Sequence, residues 1–441
     1  MGTLWQFGTA LAAMGCMAAT ALPATRSIIT RLGGDFRGEP EDAPARLSPA
    51  ARALIEQAFS DVGSAPLEDY HAHLVGIGSD GSHAELNPKM TKWWHPVRYV
   101  QARVYLSASG IRGVTHSDRE YVDRLARLAR GFGHPIRIHL LAMDHYYKPD
   151  GSIDREKTQF YVPNESVFAA ARQHPGLFVP VISVHPDRPD ALAELEKWSR
   201  QGVRYVKWLP NAQGIDPAAA RYDAFYRRMR ELDMVLLTHT GNEGAVHAAA
   251  SQEFGNPLRL RRPLDAGVRV IMAHCASRGR NEDLDHPGVR ADSFALAMRM
   301  LNDPGYRGLL FADISAMTQW NRLPRPLLEL MRHPEMHDRL VNGSDYPMPA
   351  VNCVISLAAL ERRGMVTADE RRALREIYDC NPLLFDFVLK RTVRDPVTRA
   401  RLPTQIFLAN PHLSGILAAH LGVRHGIRPE AARLDWEHTA R

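Results

Sequence analysis

Eight short strand-like runs recur along the chain, and stretches with helical periodicity lie between most of them. Each run is too far from the next for a β-hairpin, so the pattern predicts parallel strands joined by helical crossovers. A closed eight-stranded α/β barrel satisfies this pattern, and its active site would lie at the carboxyl ends of the strands. The runs cover residues 67–73, 135–144, 177–185, 203–208, 234–239, 268–274, 308–314 and 339–345.

An open doubly wound sheet is the alternative to a closed barrel. That fold would require a glycine-rich phosphate-binding turn after the first strand. The sequence His71-Ala72-His73-Leu74 is not such a turn. We therefore expect a (β/α)8 TIM-type barrel, with a long insertion after the first strand at residues 75–115 and a helical C-terminal extension. A helix is expected within the insertion at residues 97–107, and the insertion would form a lid or substrate wall. Alternatively, Trp93 and Trp94 pack the insertion onto the body.

Five of the predicted strands turn polar at their carboxyl ends. Reading back from each end in steps of two gives the side chains expected on one face of the strand. Each series is apolar or aromatic until it ends on an ionisable residue, as a packed barrel lumen would where it opens onto a polar site. The series are Val203, Tyr205, Lys207; Val235, Leu237, His239; Val268, Val270, Met272, His274; Leu309, Phe311, Asp313; and Val341, Gly343, Asp345.

The first strand carries Asp69, His71 and His73, which alternation would place on one face. Two imidazoles on one face can hold a metal ion. With 20 histidines in the chain, an isolated pair is also compatible with a surface or core role. Asp69 could orient a ligand or be an ordinary strand-start carboxylate. The four cysteines form no Cys-x-x-Cys pair, so a bound metal would have to be held by histidine and carboxylate.

Length and charge limit the class of protein. The 441 residues allow two or three domains, or one large barrel. The net charge of +6 arises from 55 basic and 49 acidic side chains spread along the chain. Nucleic-acid binding requires a concentrated basic stripe, so we do not expect it.

The chain is expected to contain three regions: a leader and linker at residues 1–65, the barrel at 66–390, and the extension at 391–441. The first 25 residues carry no charge and resemble the apolar core of an export signal or a lipoprotein-type segment. A positive n-region is missing, and a disordered leader or a wrongly chosen start explains the segment equally well. Localisation therefore stays open between cytoplasmic and exported or membrane-anchored, and membrane association is expected only if this segment is an anchor. The extension could wrap the barrel or form a homo-oligomer contact.

Several motifs resemble the metal-site motifs of the amidohydrolase superfamily. The resemblance is to its amidohydrolase-related branch, which also includes metal-dependent decarboxylases of aromatic or muconate-type acids. It extends from about Leu67 to about Phe387, where Asn381-Pro382-Leu383-Leu384-Phe385 is similar to the closing helix of that branch. The motifs are His71-Ala72-His73, His239 in Leu237-Thr238-His239-Thr240-Gly241, His274 in Met272-Ala273-His274-Cys275, and Asp345 in Gly343-Ser344-Asp345-Tyr346-Pro347.

The resemblance implies a divalent ion, zinc by preference, at the mouth of the barrel. Its ligands would be His71, His73, His239 and Asp345, with water or substrate in an open position. The ion would lower the pKa of bound water to roughly 7 in a favourable site. Asp345 would accept the proton of this water, and His274 would polarise the substrate carbonyl or stabilise the developing oxyanion.

Lys207 introduces an alternative with two metals. Its segment is similar to the one that carries a carbamylated, metal-bridging lysine in dihydroorotase-like members, where His239 and His274 would bind the second ion. An unmodified lysine would instead bind an acidic group of the substrate or pair with Asp345. One ion is the expectation, because a single metal is usual in this branch.

The resemblance implies hydrolysis of a C–N or C–O bond in a small organic substrate by a metal-bound hydroxide. Decarboxylation of a small carboxylic acid is the alternative, since the same ligand set supports it in this branch. A non-enzymatic binding module is disfavoured by the complete ligand set together with Asp345. Arg278 and Asp313 are candidates for substrate contacts, because they lie at or just after predicted strand ends.

Overall fold

The computed structural model describes residues 29–414 apart from 35, 37 and 112–114, so the leader lies outside the described residues. The eight predicted strands form one sheet in chain order, and each strand is parallel to its neighbours. The strands are β1 Leu67–His73, β2 Ile136–Leu141, β3 Phe178–Ile182, β4 Tyr205–Trp208, β5 Val235–His239, β6 Arg269–Ala273, β7 Leu310–Asp313 and β8 Leu340–Val341.

Hydrogen bonds between β1 and the segment that follows β8 join the two ends of the sheet. The amide of Tyr70 donates to the carbonyl of Asn342 over 2.9 Å, and the amide of His73 donates to that of Tyr346 over 2.8 Å. Ala72 also forms a parallel bridge with Tyr346. The sheet therefore curls into the expected barrel, which brings the first and last strands side by side.

Helices cover the outside of the barrel, as the crossover pattern predicts. Two small antiparallel ribbons supplement them, Glu85–Leu86 with Phe160–Tyr161 and Arg280–Glu282 with Arg290–Asp292. The main helices are Pro96–Ala108, Ser117–Arg130, Asn164–Gln173, Ala191–Arg200, Asp223–Glu231, Arg261–Asp265, Ser293–Leu301, Arg325–Arg332, Leu357–Arg362, Ala368–Cys380 and Pro382–Thr392, with single-turn helices at Ala43–Arg46, Pro88–Thr91, Pro210–Gln213 and Pro411–Ser414. No helix in the described ranges is long and apolar enough to cross a membrane.

The barrel lumen is packed by a compact set of apolar and aromatic side chains, separate from the layer between sheet and helices. Strands β4, β5, β7 and β8 contribute Tyr205, Val235, Leu237, Phe311 and Val341, as alternation predicted, whereas Val203 and Leu309, which precede β4 and β7, pack in the outer layer. Strand β6 does not follow the prediction: Ile271 faces the lumen, while Val270 and Met272 pack in the outer layer. The lumen set comprises Tyr70, Leu141, Val181, Tyr205, Val235, Leu237, Ile271, Phe311, Val341 and Leu413.

The region expected to be a linker is folded over much of its length. Helix Pro49–Phe59 begins with Pro49 in its first turn and buries Ala51, Leu54 and Ala58. The hydroxyl of Ser48 caps it by accepting the amide N–H of Ala51 over 3.2 Å. Proline favours the first turn of a helix, where its missing N–H costs nothing, so here it marks a helix start and not a linker. Residues 49–59 of the expected linker are therefore helical.

The insertion after β1 forms the expected helix, Pro96–Ala108, and this helix docks on the loop after β5. Gln101 Nε2 and Tyr105 Oη both donate to the carbonyl of Ala245, over 2.5 and 2.9 Å. Trp93 and Trp94 are 69% and 56% exposed, so they do not pack the insertion onto the body.

The start of the C-terminal extension folds back under the barrel. Leu413 is fully buried among the lumen residues, and Tyr205 Oη donates to its carbonyl over 3.0 Å. The amide of Asn410 donates to Tyr70 Oη over 3.1 Å. This segment seals the amino end of the lumen, opposite the candidate site. The rest of the expected helical extension, from residue 415 onward, lies outside the described part of the chain.

Candidate metal centre

The two histidines of β1 meet the carboxylate that follows β8. Asp345 Oδ1 lies 3.5 Å from His71 Nε2 and 3.3 Å from His73 Nε2. The possible ligand atoms of these three residues all lie within 4.8 Å of one another. Asp345 has a φ of +58°, a left-handed conformation that is uncommon outside glycine and clusters at functional sites. The three side chains could therefore hold one divalent ion.

The alternation of β1 is interrupted, which changes the expected role of Asp69. A register shift lies between Asp69 and Ala72, so Tyr70 joins the lumen. The Asp69 carboxylate accepts the amide N–H groups of His71 and Ser344, over 3.0 and 2.8 Å. Burial raises the pKa of Asp69 to about 6. This side chain binds the backbone of both histidine and aspartate segments and so fixes their relative position.

Lys207 lies in β4 and is almost fully buried beside the histidine pair. Its Nζ lies 3.0 Å from His71 Nε2. Burial lowers the pKa of Lys207 to about 8 because a low-dielectric environment disfavours the charged amine. The structure thus brings the lysine to the histidine and aspartate group, as the sequence predicted.

His239 ends β5 with an unsatisfied nitrogen. Its Nε2 is buried and has no hydrogen-bond partner among the described residues; Glu243 Oε2 is 3.4 Å away. Burial lowers the pKa of His239 to about 4, so the imidazole is neutral and keeps a lone pair. A buried unpaired nitrogen is costly, and a metal ion would satisfy it. This atom is the observation that best supports a fit between the site and a metal.

His274 reaches the site through a turn and not through strand alternation. Strand β6 ends at Ala273, and His274, Cys275 and Ala276 follow with φ values of +59°, +47° and +48°. The His274 ring stacks on His71 with centroids 5.1 Å apart, and its Nδ1 lies 2.7 Å from Ser315 Oγ. The left-handed turn compensates for the opposite phase of β6.

Asp313 links two of these histidines from below. Its Oδ2 lies 2.9 Å from His71 Nδ1, and its Oδ1 accepts the amide N–H of His274 over 2.9 Å. The hydroxyl of Ser315 also donates to Oδ1. Asp313 is fully buried, so its oxygens are committed to these protein groups. Its geometry is that of a residue that orients a ligand histidine.

Four further residues surround the centre. Arg278 is half-buried and lies against Gly244 in the loop after β5. Sequence reasoning missed Arg322 and Ser277, which form a buried pair with Arg322 Nη1 donating to Ser277 Oγ over 2.8 Å. It also missed Ser315. These residues lie in loops without periodicity, so no local signal distinguishes them from other loop residues.

Comparison with known proteins identifies the family of the chain. The family model described as Amidohydrolase matches residues 69–376. No curated protein matches the chain. The solved structures that resemble it include an uncharacterized TIM-barrel protein from Bordetella bronchiseptica, with 16% identity over 70% of this chain and 99% of that chain and a TM-score of 0.41.

Two named enzymes are also among the similar structures. 4-Oxalomesaconate hydratase from Rhodopseudomonas palustris shares 12% identity over 71% of this chain and 95% of that chain, with a TM-score of 0.37. N-isopropylammelide isopropylaminohydrolase from Burkholderia multivorans shares 16% identity over 80% of this chain and 82% of that chain, with a TM-score of 0.36. Likenesses this distant carry no argument about the reaction. The family model spans most of the barrel, and the chain belongs to the amidohydrolase family.

Proposed function

We propose that the protein is a metal-dependent hydrolase that cleaves a C–N or C–O bond in a small organic substrate. The ion, zinc by preference, would be held by His71, His73, His239 and Asp345. The observation that carries this proposal is the buried Nε2 of His239, which has no hydrogen-bond partner among the described residues and whose ring centroid lies 5.1 Å from that of His274.

A divalent ion at this position would supply a hydroxide nucleophile near neutral pH by lowering the pKa of water to roughly 7. Asp345 is placed to accept the proton of the attacking water and to pass it to the leaving group, because its carboxylate lies beside both histidines of β1. Proximity to these imidazoles and to Lys207 lowers the pKa of Asp345 despite its burial. The carboxylate is therefore ionised, the state that a general base requires.

His274 would stabilise the negative charge that develops on the substrate oxygen. Burial lowers its pKa well below the usual value, so the ring is neutral. Ser315 Oγ at Nδ1 and Asp313 at the main-chain N–H fix the ring orientation. Because the Ser315 hydroxyl donates to Asp313, Nδ1–H of His274 donates to Ser315 Oγ, and Nε2 of the neutral ring carries the lone pair; the ring would have to take up a proton at Nε2 to stabilise an oxyanion. We assign Asp313 to orientation of His71 and His274, in place of the substrate contact expected from the sequence.

Lys207 accommodates either of its expected roles. An amine whose pKa is lowered to about 8 is partly neutral at physiological pH, which carbamylation requires. Its Nζ also lies close enough to His71 to approach a substrate oxygen near the ion. We propose one ion and an unmodified lysine. Metal analysis that returns two ions per chain, with a carbamate on Lys207 detected by mass spectrometry, would replace this arrangement with the bridged pair.

The test combines metal analysis with substrate panels. Purified protein loaded with zinc should contain one ion per chain and hydrolyse members of a lactone and amide panel. Asp345→Asn should lower kcat by roughly 1,000-fold or more, since a general base contributes about 10²–10⁴-fold and the ligand set is also weakened. Asp338→Asn, at an exposed carboxylate, is the matched control and should keep full activity.

The same panel includes carboxylic acids monitored for released carbon dioxide. Carbon dioxide production without hydrolysis of any lactone or amide would contradict the hydrolase proposal and favour the lyase alternative. If zinc-loaded protein turns over neither the lactones and amides nor the carboxylic acids, and Asp345→Asn leaves ligand binding unchanged, a binding module is favoured.

A further inference from the structure

Arg322 is a buried cation that has no carboxylate within salt-bridge distance among the described residues, although Asp345, Glu243 and Asp313 attract its charge from farther away. Its side chain is only 8% exposed. Within the described part of the chain, its one side-chain hydrogen bond runs from Nη1 to Ser277 Oγ, and its Nε is buried without a partner. Arginine is rarely buried unless it is paired with an anion. The guanidinium therefore has unused donors.

A second arginine, Arg278, directly follows Ser277, the residue to which Arg322 donates. Burial and the neighbouring charge of Arg278 lower the pKa of Arg322 to about 10. Arg278 packs across the backbone of Gly244, where an added Cβ would lie 2.0 Å from its Nη1. No ion pair joins either guanidinium to a carboxylate in the described ranges, although salt bridges are frequent among the other arginines. Two adjacent cations left in this way repel each other unless an anion separates them.

The pair borders the candidate metal centre. The charge of Arg322 contributes to the lowered pKa of both His274 and His239, so its guanidinium lies within electrostatic range of both rings. Ser277, which holds Arg322, is three residues after His274, and Arg278 is the next residue. The turn that brings His274 to the centre therefore also sets the position of both arginines.

We propose that Arg322 and Arg278 form a subsite for a carboxylate group of the substrate, beside the scissile bond. The planar fork of a guanidinium matches a carboxylate, and such charge-assisted bonds are strong in a buried setting. Bound carboxylate would satisfy the unused donors of Arg322 and separate the two positive charges. This inference rests on the proposed function for the position of the reacting bond, but the anion subsite itself does not require the metal.

The test measures binding of acids against their uncharged amides. Acetate, benzoate and glutarate are titrated into the full-length protein by calorimetry, each beside its amide, with zinc loaded and after chelation. We expect at least one acid to bind roughly 10-fold or more tightly than its amide in both states. Arg322→Met should weaken that binding by roughly 10–100-fold, the effect of losing charge-assisted hydrogen bonds. Amide binding should stay unchanged.

Two variants separate charge recognition from structural support. Arg322→Lys keeps the charge but not the fork, and should bind the acid with an affinity between those of the wild type and Arg322→Met. Arg325→Met is the matched control, because Arg325 is exposed and pairs with Glu329 in the same helix, Arg325–Arg332. It should bind acids like the wild type. Melting temperatures of all variants establish whether they are folded.

The proposal is overturned if no acid binds more tightly than its amide, or if Arg322→Met binds acids as tightly as the wild type. Arg322→Met could be poorly folded and have a low melting temperature. If Arg322→Lys then melts as low and recovers no acid binding, Arg322 has a structural role only. If the wild-type protein binds no zinc but still binds an acid more tightly than its amide, the proposed function is contradicted and the carboxylate subsite stands.

Discussion

At the scale of single residues, Asp313 connects the parts of the candidate centre. Among the residues that the structure describes, it is the one carboxylate that contacts both the His71 ring and the main chain of His274. A carboxylate behind a ligand histidine fixes the tautomer and orientation of the ring and raises its basicity. The residue therefore affects metal affinity without itself occupying a ligand position in the proposed set.

Asp313→Asn should weaken zinc binding by roughly 10–100-fold, the usual effect of removing such a support. The amide places an N–H group where His71 Nδ1 needs an acceptor, so the ring loses its fixed orientation. Zinc affinity is measured by competition with a chromogenic chelator. Asp303→Asn, at an exposed turn, is the matched control. Unchanged zinc affinity in Asp313→Asn would contradict this role.

At the scale of elements, the helix Pro382–Thr392 supports the end of β8. Lys390 Nζ is fully buried and donates to the carbonyl of Gly343 over 2.7 Å and to Asp386 Oδ2 over 2.5 Å. Gly343 lies two residues before Asp345, and an added Cβ there would meet His71 Cβ at 2.7 Å. The helix thus holds a backbone segment that approaches β1 closely at the candidate centre.

Lys390→Met should destabilise the fold by about 3 kcal/mol, because it leaves Asp386 buried without its cation. Burial already raises the pKa of Asp386 to about 6. Because the folded-state pKa of Asp386 lies above its unfolded value, ionisation of this carboxyl lowers the free energy of unfolding as pH rises through the folded-state pKa. The loss of stability of Lys390→Met relative to the wild type should therefore grow from about pH 5 to pH 8. Urea unfolding at several pH values measures it.

The double variant Asp386→Asn with Lys390→Met removes the charge of both partners and should recover part of the stability at pH 8. Lys197→Met removes a partly exposed lysine that pairs with Glu165 and Glu194 and serves as the control, with an expected change of roughly 0–1 kcal/mol. A deficit in Lys390→Met that does not vary with pH would contradict the role assigned to the carboxyl.

At the scale of the whole molecule, the two ends of the barrel differ. The carboxyl ends of the strands carry the ionisable cluster, and the amino ends are covered by residues 410–413. Arg269 Nη1 donates to the carbonyl of His412 over 2.8 Å, and Leu413 fills the lumen floor. Residues 410–413 keep water away from apolar side chains that several strands contribute to the lumen. This segment therefore stabilises the whole barrel.

Leu413→Ala should destabilise the protein by about 3 kcal/mol, since it removes a fully buried side chain and leaves a cavity. Leu192→Ala is the matched control; that leucine is 41% exposed, so its truncation should cost less than about 1 kcal/mol. Both are compared by guanidinium unfolding. Equal losses in the two variants would contradict the stabilising role of residues 410–413.

Local periodicity determined the strands of this protein and most of the ionisable residues at their ends. Alternation depends only on residues that are neighbours in the sequence. Short segments therefore predict the positions of β4, β5, β7 and β8 and the face on which Lys207 and His239 lie. The register shift in β1 and the opposite phase of β6 are not, because a bulge and a left-handed turn at His274 break the period of two.

Tertiary structure alone decided which distant groups meet. Arg322 with Ser277, Asp313 with His71, and Leu413 with the lumen are contacts between segments far apart in the chain. Such pairings depend on closure of the whole barrel and on loop conformations without a repeat. The sequence by itself therefore determined the alternating elements and the ionisable groups at their ends. Only the tertiary structure decided the geometry of the candidate site, because side chains in separate loops become neighbours only when the sheet closes.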